Sequence, residues 1–487
     1  MKIYQKALIV ASIAMLVGGC KEDDAPVAAT SKADVKKYVS IGNSLTAGYQ
    51  SGGLYKSAQQ NGYPNLIAKQ LVSASATIGT FEIPYWDDPG SYGTDVTKAS
   101  RLVLRSLTGP DIRTEGVAPG VASNFNLPRA YDNLVIPGSV IYDFLDESEF
   151  LAKSASRKNP FFAHVLRQAS YGASVKKQAK ALNPDLVTFW LGNNDVLGFA
   201  TSGGTDTNKF DGKTTPTPAA MFTPMYNAAL DSLRAALPNA KLVVANIPDV
   251  KAVPYFTTVG PKVGASLAAK GGISLYYQKH GEAGPGSGSS KLSGAAGDPY
   301  ITLPGSTIAT LFLGDTTGAY YSSTGVTPGA GIIINQPFGV HPYNPFPDKY
   351  VLDSAETATA TASVLAFNTT IAAAATKNNA GLVDINTFFN GVKANGITVG
   401  GTKYTADFIT GQLFSLDGVH PSSKGQGIIA NEFIKVMNKK FGFTIAEVNI
   451  TTLPGIDVTP LAKYIGDSKT IAGKSLDSWT PFLNLWK

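Results

Sequence analysis

The sequence contains one cysteine, Cys20, among 487 residues, so a disulfide bond within the chain is impossible. Charged residues are also sparse: they make up 16% of the chain, the formal net charge is +6, and the Lys and Arg residues form no cluster. We therefore do not predict nucleic-acid binding. The low charge and the 50 glycines favour many loops and turns, whereas 44% hydrophobic residues suffice for a sizeable core.

The apolar run at the N-terminus is typical of an export signal. Lys2 and Lys6 precede the apolar residues 7–17, a run too short to span a bilayer comfortably. Small residues then lead directly to Cys20. We predict that residues 1–19 are a signal peptide and exclude them from the fold.

The same segment resembles a bacterial lipoprotein signal. The resemblance implies that Cys20 is lipidated, becomes the mature N-terminus and anchors the chain to a membrane. Lys21 and the acidic residues 22–24 resemble the surface-export signal of Bacteroidetes-type lipoproteins, although they also suit a solvated acidic tether. We expect residues 20–35 to be a lipidated tether and the protein to be an outer-membrane lipoprotein at the cell surface, with the periplasmic face as the alternative.

The rest of the chain alternates between strand and helix patterns. Five apolar runs predict buried strands, which are Tyr38–Ile41, Asn133–Ile136, Leu186–Leu191, Leu242–Asn246 and Leu382–Ile385. Helical periodicity predicts helices at Tyr63–Val72, Ala163–Leu182, Met225–Leu237 and Asp353–Lys377. This alternation predicts an α/β fold whose parallel sheet is covered on both faces and binds ligands at the carboxyl ends of its strands.

Two long segments interrupt the alternation, at about 74–130 and 252–350. Unstructured loops of that length are uncommon in compact domains, so we interpret both segments as insertions that wall the active site. We place the main domain at residues 36–441. Residues 442–487, which include Trp479, Phe482 and Trp486, are expected to pack against it as a C-terminal extension.

Ser44 is the first candidate catalytic residue. It follows the first predicted strand, with Gly42 and Asn43 in the turn between strand and helix. A serine hydroxyl is a weak nucleophile unless a base removes its proton, and N-terminal amides of a following helix favour a developing negative charge. Serine after Gly-Asn is common, so Ser44 needs a partner elsewhere in the chain.

His420 is the natural base for Ser44. The chain has four histidines, which are His164, His280, His341 and His420. His164 lies on an apolar helical face, which favours a core position, and His280 and His341 lie in the second insertion. His420 precedes a helix that we expect to begin in a capping box over residues 423–426. Asp417, three residues earlier, can accept a hydrogen bond from the imidazole and fix its tautomer.

Gly138 and Asn194 are candidate oxyanion donors, because they follow the second and third predicted strands. Gly138 offers a backbone N–H that no side chain covers, and Asn194 offers a side-chain amide. Donors placed where charge develops each lower a barrier by about 3–4 kcal/mol. Plain turns at both positions are the alternative interpretation.

Four segments occur in the order of the four blocks of the GDSL/SGNH hydrolases. They are Gly42-Asn43-Ser44-Leu45, Pro137-Gly138, Gly192-Asn193-Asn194-Asp195 and Asp417-Gly418-Val419-His420, and through them residues 36–441, apart from the insertions, resemble that family. The family motif has Asp in place of Asn43, at a position that is not catalytic. The Gly-x-Ser-x-Gly elbow of α/β-hydrolases is absent, because Thr46 replaces its second glycine, so we reject that fold.

The resemblance implies a flavodoxin-like three-layer α/β/α sandwich with a five-stranded parallel sheet and large loop insertions. It implies that Ser44 is the nucleophile and an oxyanion donor, and that Gly138 and Asn194 complete the oxyanion hole. It further implies that His420 is the base and that Asp417 orients it. No metal ion and no organic cofactor are implied.

These residues predict a serine esterase or lipase that hydrolyses carboxylic acyl esters through a covalent acyl-enzyme. The substrate is less defined, because apolar and aromatic residues of the second insertion could line an acyl groove or stack on sugars; they are Leu311-Phe312-Leu313, Tyr320-Tyr321, Pro337-Phe338, Tyr343 and Phe346. A polysaccharide O-deacetylase of the same fold is therefore an alternative. A non-catalytic surface binding protein is a further alternative, although all five site residues are present.

Overall fold

The computed structural model describes residues 33–92, 101–104, 112–114, 120–205, 216–282, 284–456, 470–471 and 474–475. The predicted signal peptide at residues 1–19, the lipidation candidate Cys20 and residues 21–32 of the predicted tether lie outside the described residues. Trp479, Phe482 and Trp486 of the C-terminal extension also lie outside them.

The described chain alternates short strands with helices. The strands are β1 (Tyr38–Gly42), β2 (Gly53–Leu54), β3 (Ser91–Tyr92), β4 (Leu102–Leu104), β5 (Ile112–Thr114), β6 (Asn133–Val135), β7 (Leu186–Trp190), β8 (Lys241–Ala245), β9 (Leu275–Tyr277), β10 (Gly288–Ser290), β11 (Tyr300–Ile301), β12 (Val351–Leu352), β13 (Gly381–Val383), β14 (Ile397–Val399), β15 (Thr402–Tyr404), β16 (Thr470–Ile471) and β17 (Lys474–Ser475). The helices are α1 (Ser44–Ala47), α2 (Lys56–Gln59), α3 (Tyr63–Ser73), α4 (Ile141–Leu145), α5 (Phe150–Ser156), α6 (Phe161–Leu166), α7 (Val175–Leu182), α8 (Asn194–Thr201), α9 (Ala219–Ala236), α10 (Pro254–Thr257), α11 (Val259–Ala269), α12 (Gly305–Phe312), α13 (Ala319–Thr324), α14 (Ser354–Lys377), α15 (Ile385–Asn395) and α16 (Ser423–Phe441).

The predicted α/β fold is confirmed. Strands β13, β8, β7, β1 and β6 form, in that spatial order, a five-stranded sheet whose pairs are all parallel. Each of the five predicted strands is present, with ends that differ from the prediction by at most two residues. Apolar runs of this length are typical of strands buried on both faces, which is why their positions can be read from the sequence.

The two faces of the sheet are covered by different helices, as two neighbouring residues of β7 show. Side chains alternate between the faces of a strand. Trp190 contacts Tyr63 of α3 and Phe433 of α16, with ring centroids 5.8 and 6.1 Å away. Phe189 packs on the other face against Phe144 of α4 and Tyr226 of α9, at 5.1 and 6.0 Å. The result is a three-layer α/β/α sandwich.

Helix α14 belongs to this sandwich. It is long and apolar enough to cross a membrane by length and composition. Its Phe367 ring, however, stacks on Phe222 of α9 with centroids 3.9 Å apart, and both rings are fully buried. A capping box between Asp353 and Glu356 starts the helix. We therefore interpret α14 as a helix of the protein core.

The prediction of one continuous helix at Ala163–Leu182 is wrong. Helix α6 ends at Leu166, because Arg167 adopts a left-handed backbone conformation with φ of 51°. A short 3-10 turn follows, and α7 then begins after Ser174, whose hydroxyl accepts a hydrogen bond from the N–H of Lys177 at 3.3 Å. The buried side chain of Gln178 bridges this break by donating to the Leu166 and Gly172 carbonyls.

The second insertion supplies most of a second hydrophobic core, whose other buried members are Leu104, Ile112, Val351, Phe408, Ile409 and Leu416. Phe312, Tyr320, Phe338 and Phe346 are buried there and pack edge-on or tilted against one another. These rings therefore neither line an open acyl groove nor stack on sugars, contrary to the sequence-based expectation. Tyr343 is different, since it is 45% exposed.

The start of the C-terminal extension is joined to α16. Asn438 exchanges two hydrogen bonds with the backbone of Ile445, at 2.8 and 2.9 Å. Phe443, Ile445 and Ile450 are buried in the main core. Residues 442–450 thus form part of the sandwich.

Candidate active site

The carboxyl ends of three neighbouring strands bring the predicted site residues to one edge of the sheet. Gly42, the last residue of β1, lies opposite Val135 of β6 and Trp190 of β7 in the strand register. Ser44, Gly138 and Asn194 follow these three residues within a few positions along the chain. A parallel sheet presents the ends of neighbouring strands on the same side, which is where this fold class binds ligands.

Ser44 is held by a tight turn between β1 and α1. A Cβ atom on Gly42 would lie 2.0 Å from Oγ1 of Thr46, so the turn requires glycine there. Asn43 caps the turn, because its Oδ1 accepts a hydrogen bond from the N–H of Leu45 at 3.2 Å. Helix α1 is a single turn, so it contributes few aligned peptide dipoles to the site.

Ser44, His420 and Asp417 are joined by hydrogen bonds in that order. His420 Nε2 lies 3.0 Å from Ser44 Oγ, and His420 Nδ1 lies 3.0 Å from Asp417 Oδ2. The ring of Tyr49 packs against the imidazole with centroids 4.7 Å apart. All three polar side chains are largely shielded from solvent. The arrangement has the nucleophile, base and orienting carboxylate of a serine hydrolase within hydrogen-bonding reach.

Asp417 is fixed by backbone donors as well as by the imidazole. Its Oδ1 accepts from the N–H groups of Val419 and His420 at 2.9 and 2.8 Å, and its Oδ2 accepts from Gly52 at 2.9 Å. Burial acts to raise the pKa of Asp417, but the charge of His420 and these hydrogen bonds outweigh it and hold the pKa below its ordinary value. Asp417 is therefore a carboxylate over the range in which an esterase works.

The start of α16 fixes the loop that carries His420, but it does not do so through the predicted capping box. The cap is Ser422, whose Oγ accepts a hydrogen bond from Gly425 N–H at 3.2 Å. Gln426 turns instead toward the Ser44 turn: it accepts from Tyr63 N–H at 2.9 Å and donates to the Leu45 carbonyl at 3.0 Å. The side chain that we expected to cap the helix thus connects the two halves of the site.

The other histidines lie elsewhere in the structure. His164 is buried in the core, as predicted, and Nε2 of its ring lies 3.2 Å from the Pro84 carbonyl. Burial lowers the pKa of His164 to about 4. His280 pairs with Asp348 at 3.3 Å on the surface of the second insertion, and His341 packs against Tyr343.

Gly138 and Asn194 lie beside each other at the ends of β6 and β7. Gly138 has a φ of 79°, a left-handed conformation that glycine adopts without strain. Within the described part of the chain its N–H meets no protein acceptor and can donate to a ligand. Nδ2 of Asn194 donates to the Ser139 carbonyl at 2.8 Å, which orients the amide and leaves its second hydrogen for a ligand.

The Gly138 loop is held by buried side chains that the sequence did not single out. Asp195 Oδ2 accepts from Ile141 N–H at 2.9 Å, and its Oδ1 accepts from the Thr217 hydroxyl at 2.9 Å. Asp143 accepts from the N–H of Val140 at 2.9 Å. Asp195 was visible as the last residue of its motif, but no local pattern shows that it reaches a loop 54 residues away in sequence.

Replacing Asp195 with Asn should change how stability depends on pH. Burial raises the pKa of Asp195 to about 7, so the native state holds its proton more tightly than the unfolded state does. Stability from this group is therefore greatest below the unfolded pKa and is lost as pH rises through about 7. The unfolding temperatures of both proteins should be measured from acid to neutral pH. The unfolding temperature of the variant should rise relative to that of the wild type as the pH increases. A difference that does not change with pH would contradict this.

Within the described ranges, no group of three or more His, Cys, Asp or Glu side chains is placed to hold a metal ion.

A family model described as GDSL-like Lipase/Acylhydrolase matches residues 38–284 and 317–433. The two matched stretches contain Ser44, Gly138, Asn194, Asp417 and His420, and they make up most of the chain. No curated protein sequence matches the chain.

Several solved structures are similar to the chain. An extracellular lipase from Streptomyces rimosus is 14% identical, with a TM-score of 0.32 over 83% of this chain and 99% of that one. A phospholipase A1 from Streptomyces albidoflavus is 13% identical, with a TM-score of 0.32 over 83% of this chain and 99% of that one. A variant of an acetyl-xylooligosaccharide esterase from Geobacillus is 12% identical, with a TM-score of 0.29 over 85% of this chain and 96% of that one.

Proposed function

The chain belongs to the family of GDSL-like lipases and acylhydrolases and is a carboxylic ester hydrolase, and we propose that it acts through a covalent acyl-enzyme on Ser44. The observation that carries this proposal is the chain of hydrogen bonds from Ser44 Oγ through His420 to Asp417, with both distances at 3.0 Å. A serine in this arrangement loses its proton to the imidazole as it attacks a carbonyl carbon.

The reaction then has two halves. In the first, His420 Nε2 takes the proton of Ser44 Oγ, the oxygen bonds to the ester carbonyl carbon, and the imidazolium gives the proton to the departing alcohol. In the second, His420 takes a proton from water, the hydroxide attacks the acyl-enzyme, and Ser44 Oγ leaves with the proton as the carboxylic acid is released. The N–H groups of Ser44 and Gly138 and Nδ2 of Asn194 are the donors for the oxyanion in both halves.

We propose lipidic acyl esters, whose acyl group is a fatty acid, as the substrate class, with acetyl groups on polysaccharides as the alternative. The buried rings of the second insertion favour neither class, so chain-length preference has to separate them. The test is hydrolysis of p-nitrophenyl acetate, butyrate, octanoate and palmitate by the purified protein, beside its Ser44→Ala variant.

For a lipid esterase, Ser44-dependent kcat/KM should rise from acetate to octanoate, because each buried methylene adds about 0.8 kcal/mol of binding. Turnover confined to acetate would overturn the lipid proposal and direct the search to acetylated glycans. Turnover on no ester by wild-type protein would contradict the proposed mechanism for these substrates.

We also propose that Cys20 anchors the protein to the outer membrane through a lipid. The proposal rests on the signal-like residues 1–19 and on Cys20 being the one cysteine of the sequence. In cells fed a fatty acid that carries a clickable tag, the wild type should take up label and sediment with membranes. The Cys20→Ser variant should lose both properties; a labelled variant would contradict the assignment.

Exposure at the cell surface is a separate proposal that rests on Lys21 and the acidic residues 22–24. We expect protease added to intact cells to degrade the wild type. A variant with residues 21–24 changed to alanine should keep its lipid label and be protected. Protection of the wild type would place the protein on the periplasmic face instead.

A further inference from the structure

A cavity of about 780 Å³ lies on the outer side of α14, and neither Ser44 nor His420 lines it. One wall is the outward face of α14, where Thr357, Thr361 and Leu365 follow one another at four-residue spacing. The opposite wall is α11 at Gly260 and Pro261, and residues 292–300 of the second insertion form the roof. We call this cavity the α14 groove.

The roof of the α14 groove is held in place by its own hydrogen bonds and by close packing against α11. The Asp298 carboxylate accepts hydrogen bonds from the N–H groups of Gly294 and Ala295 at 2.9 and 3.1 Å, and from the Ser290 hydroxyl at 2.5 Å. The Leu292 backbone lies so close to α11 that a Cβ on Gly264 would come within 2.1 Å of the Leu292 carbonyl oxygen. A groove held in this way needs little ordering when a ligand enters, which favours binding.

The lining of the α14 groove is mostly apolar. Beside the small residues of the roof and of α14, it contains Phe256, Leu292 and Leu365, and Leu365 is 70% exposed at its edge. Two aromatic residues line the groove: the Phe256 ring is fully buried, and the half-buried Tyr300 ring packs edge-on against it with centroids 6.3 Å apart. The volume lies within the range of about 300–1,000 Å³ that is usual for small-molecule sites. An aliphatic chain fits these surroundings better than a carbohydrate does.

Positive charge lies at one end of the apolar lining. Lys251 lines the groove, and its Nζ is 3.6 Å from Asp249 Oδ2, which is beyond hydrogen-bonding distance. Lys393 Nζ donates to the Lys251 carbonyl at 2.8 Å, so two ammonium groups lie near one carboxylate. Lys251 and Lys393 outnumber the Asp249 carboxylate at this end. The Asp298 carboxylate of the roof is already bound by Ser290 and by two N–H groups, so this end can pair with an anionic head group.

We propose that the α14 groove binds a long-chain carboxylate, with the alkyl chain between α14 and the roof and the carboxylate at Lys251. The choice of this ligand class rests on the proposed function, since hydrolysis of a lipid ester releases such a carboxylate. Helix α10 lies between the groove and the active site: Phe256 lines the groove, and the neighbouring Tyr255 donates its N–H to the Gly418 carbonyl at 2.9 Å. A ligand in the groove would therefore lie against the helix that supports the loop of His420.

The test is calorimetric titration of palmitate, below its micelle concentration, into purified protein that carries Ser44→Ala. Gly260→Phe on this background should weaken binding at least about tenfold, because a Cβ there has no heavy atom nearer than 3.9 Å and the ring would fill the groove. Gly260→Ala is the matched control, since it adds a methyl group without filling the groove, and it should bind within about twofold of the parent.

A second obstruction comes from the other wall. Ala362→Trp on α14 changes an exposed position, so it should fold even if Gly260→Phe does not, and it should also weaken palmitate binding at least about tenfold.

Lys251→Gln should weaken binding of palmitate but not of hexadecanol, because the alcohol has no charge to pair with the ammonium group. In the wild-type background, these variants should hydrolyse p-nitrophenyl acetate normally.

Absence of palmitate binding would overturn the proposal, as would binding that persists in both Gly260→Phe and Ala362→Trp. If Lys251→Gln weakened the binding of palmitate and of hexadecanol equally, the placement of the carboxylate at Lys251 would be overturned. A failure of this proposal can be told apart from a failure of the proposed function. Palmitate binding without any Ser44-dependent ester hydrolysis would support the proposed ligand site and reject the acyl-enzyme proposal.

Discussion

Ser44→Ala and His420→Ala should each lower kcat for ester hydrolysis by about four orders of magnitude or more. Without the Ser44 hydroxyl no acyl-enzyme can form, and without His420 no group lies 3.0 Å from that hydroxyl to accept its proton. The two losses should not add in the double variant, because the residues act as one unit. The measurement is steady-state hydrolysis of the best p-nitrophenyl ester for each single variant and for the double variant.

Matched controls exist for both changes. Ser57→Ala removes an exposed serine that binds Asp88, and His280→Ala removes a surface histidine that pairs with Asp348. Both controls should keep activity within about twofold and should unfold close to the wild-type temperature. Activity above one tenth of wild type in Ser44→Ala would refute the assignment of the nucleophile.

Asp417→Asn should lower kcat by about 10⁴-fold while the fold is retained. In the wild type, Asp417 Oδ2 accepts from His420 Nδ1, which leaves Nε2 unprotonated toward Ser44. An asparagine that keeps its oxygen on the Val419 and His420 N–H groups turns its NH₂ toward Nδ1. The imidazole then takes the other tautomer, and its Nε2 can no longer accept the serine proton.

The same change should also lower stability, because the N–H of Gly52 loses its acceptor. Since the pKa of Asp417 is held below its ordinary value, its contribution to stability is present above the unfolded pKa and is lost as pH falls through the folded pKa. The loss of stability caused by Asp417→Asn should therefore become smaller as the pH is lowered. Asp407→Asn, at a carboxylate that binds Thr405, is the control and should keep wild-type kcat. Unchanged kcat in Asp417→Asn would show that Asp417 does not orient the base.

The sheet and the position of the site could be predicted from the sequence, because both depend on local patterns. A strand buried on both faces is a continuous apolar run, and each of the five runs became a strand of the central sheet. Ser44, Gly138 and Asn194 follow three of these strands, and parallel strands bring their ends together. The order of the four motifs then indicated the hydrolase family, which the family model bears out.

The contacts that hold the site could not be predicted, because they join distant parts of the chain. Hydrogen bonds join Gly52 to Asp417, which are 365 residues apart in sequence, and Gln426 to Leu45, which are 381 residues apart. Gln426 was expected to cap its own helix, since the capping pattern is local and competes with any long-range partner. Composition was equally misleading for the aromatic residues of the second insertion, because a hydrophobic core and a binding groove require the same residue types.

The measurement that tests the acyl-enzyme most directly is mass analysis of protein quenched with acid during turnover of a p-nitrophenyl ester. We predict one acyl group per chain, on the peptide that contains Ser44, and none in Ser44→Ala or His420→Ala. Turnover with the acyl group on another residue, or continued turnover by Ser44→Ala, would contradict the central claim that Ser44 is the nucleophile.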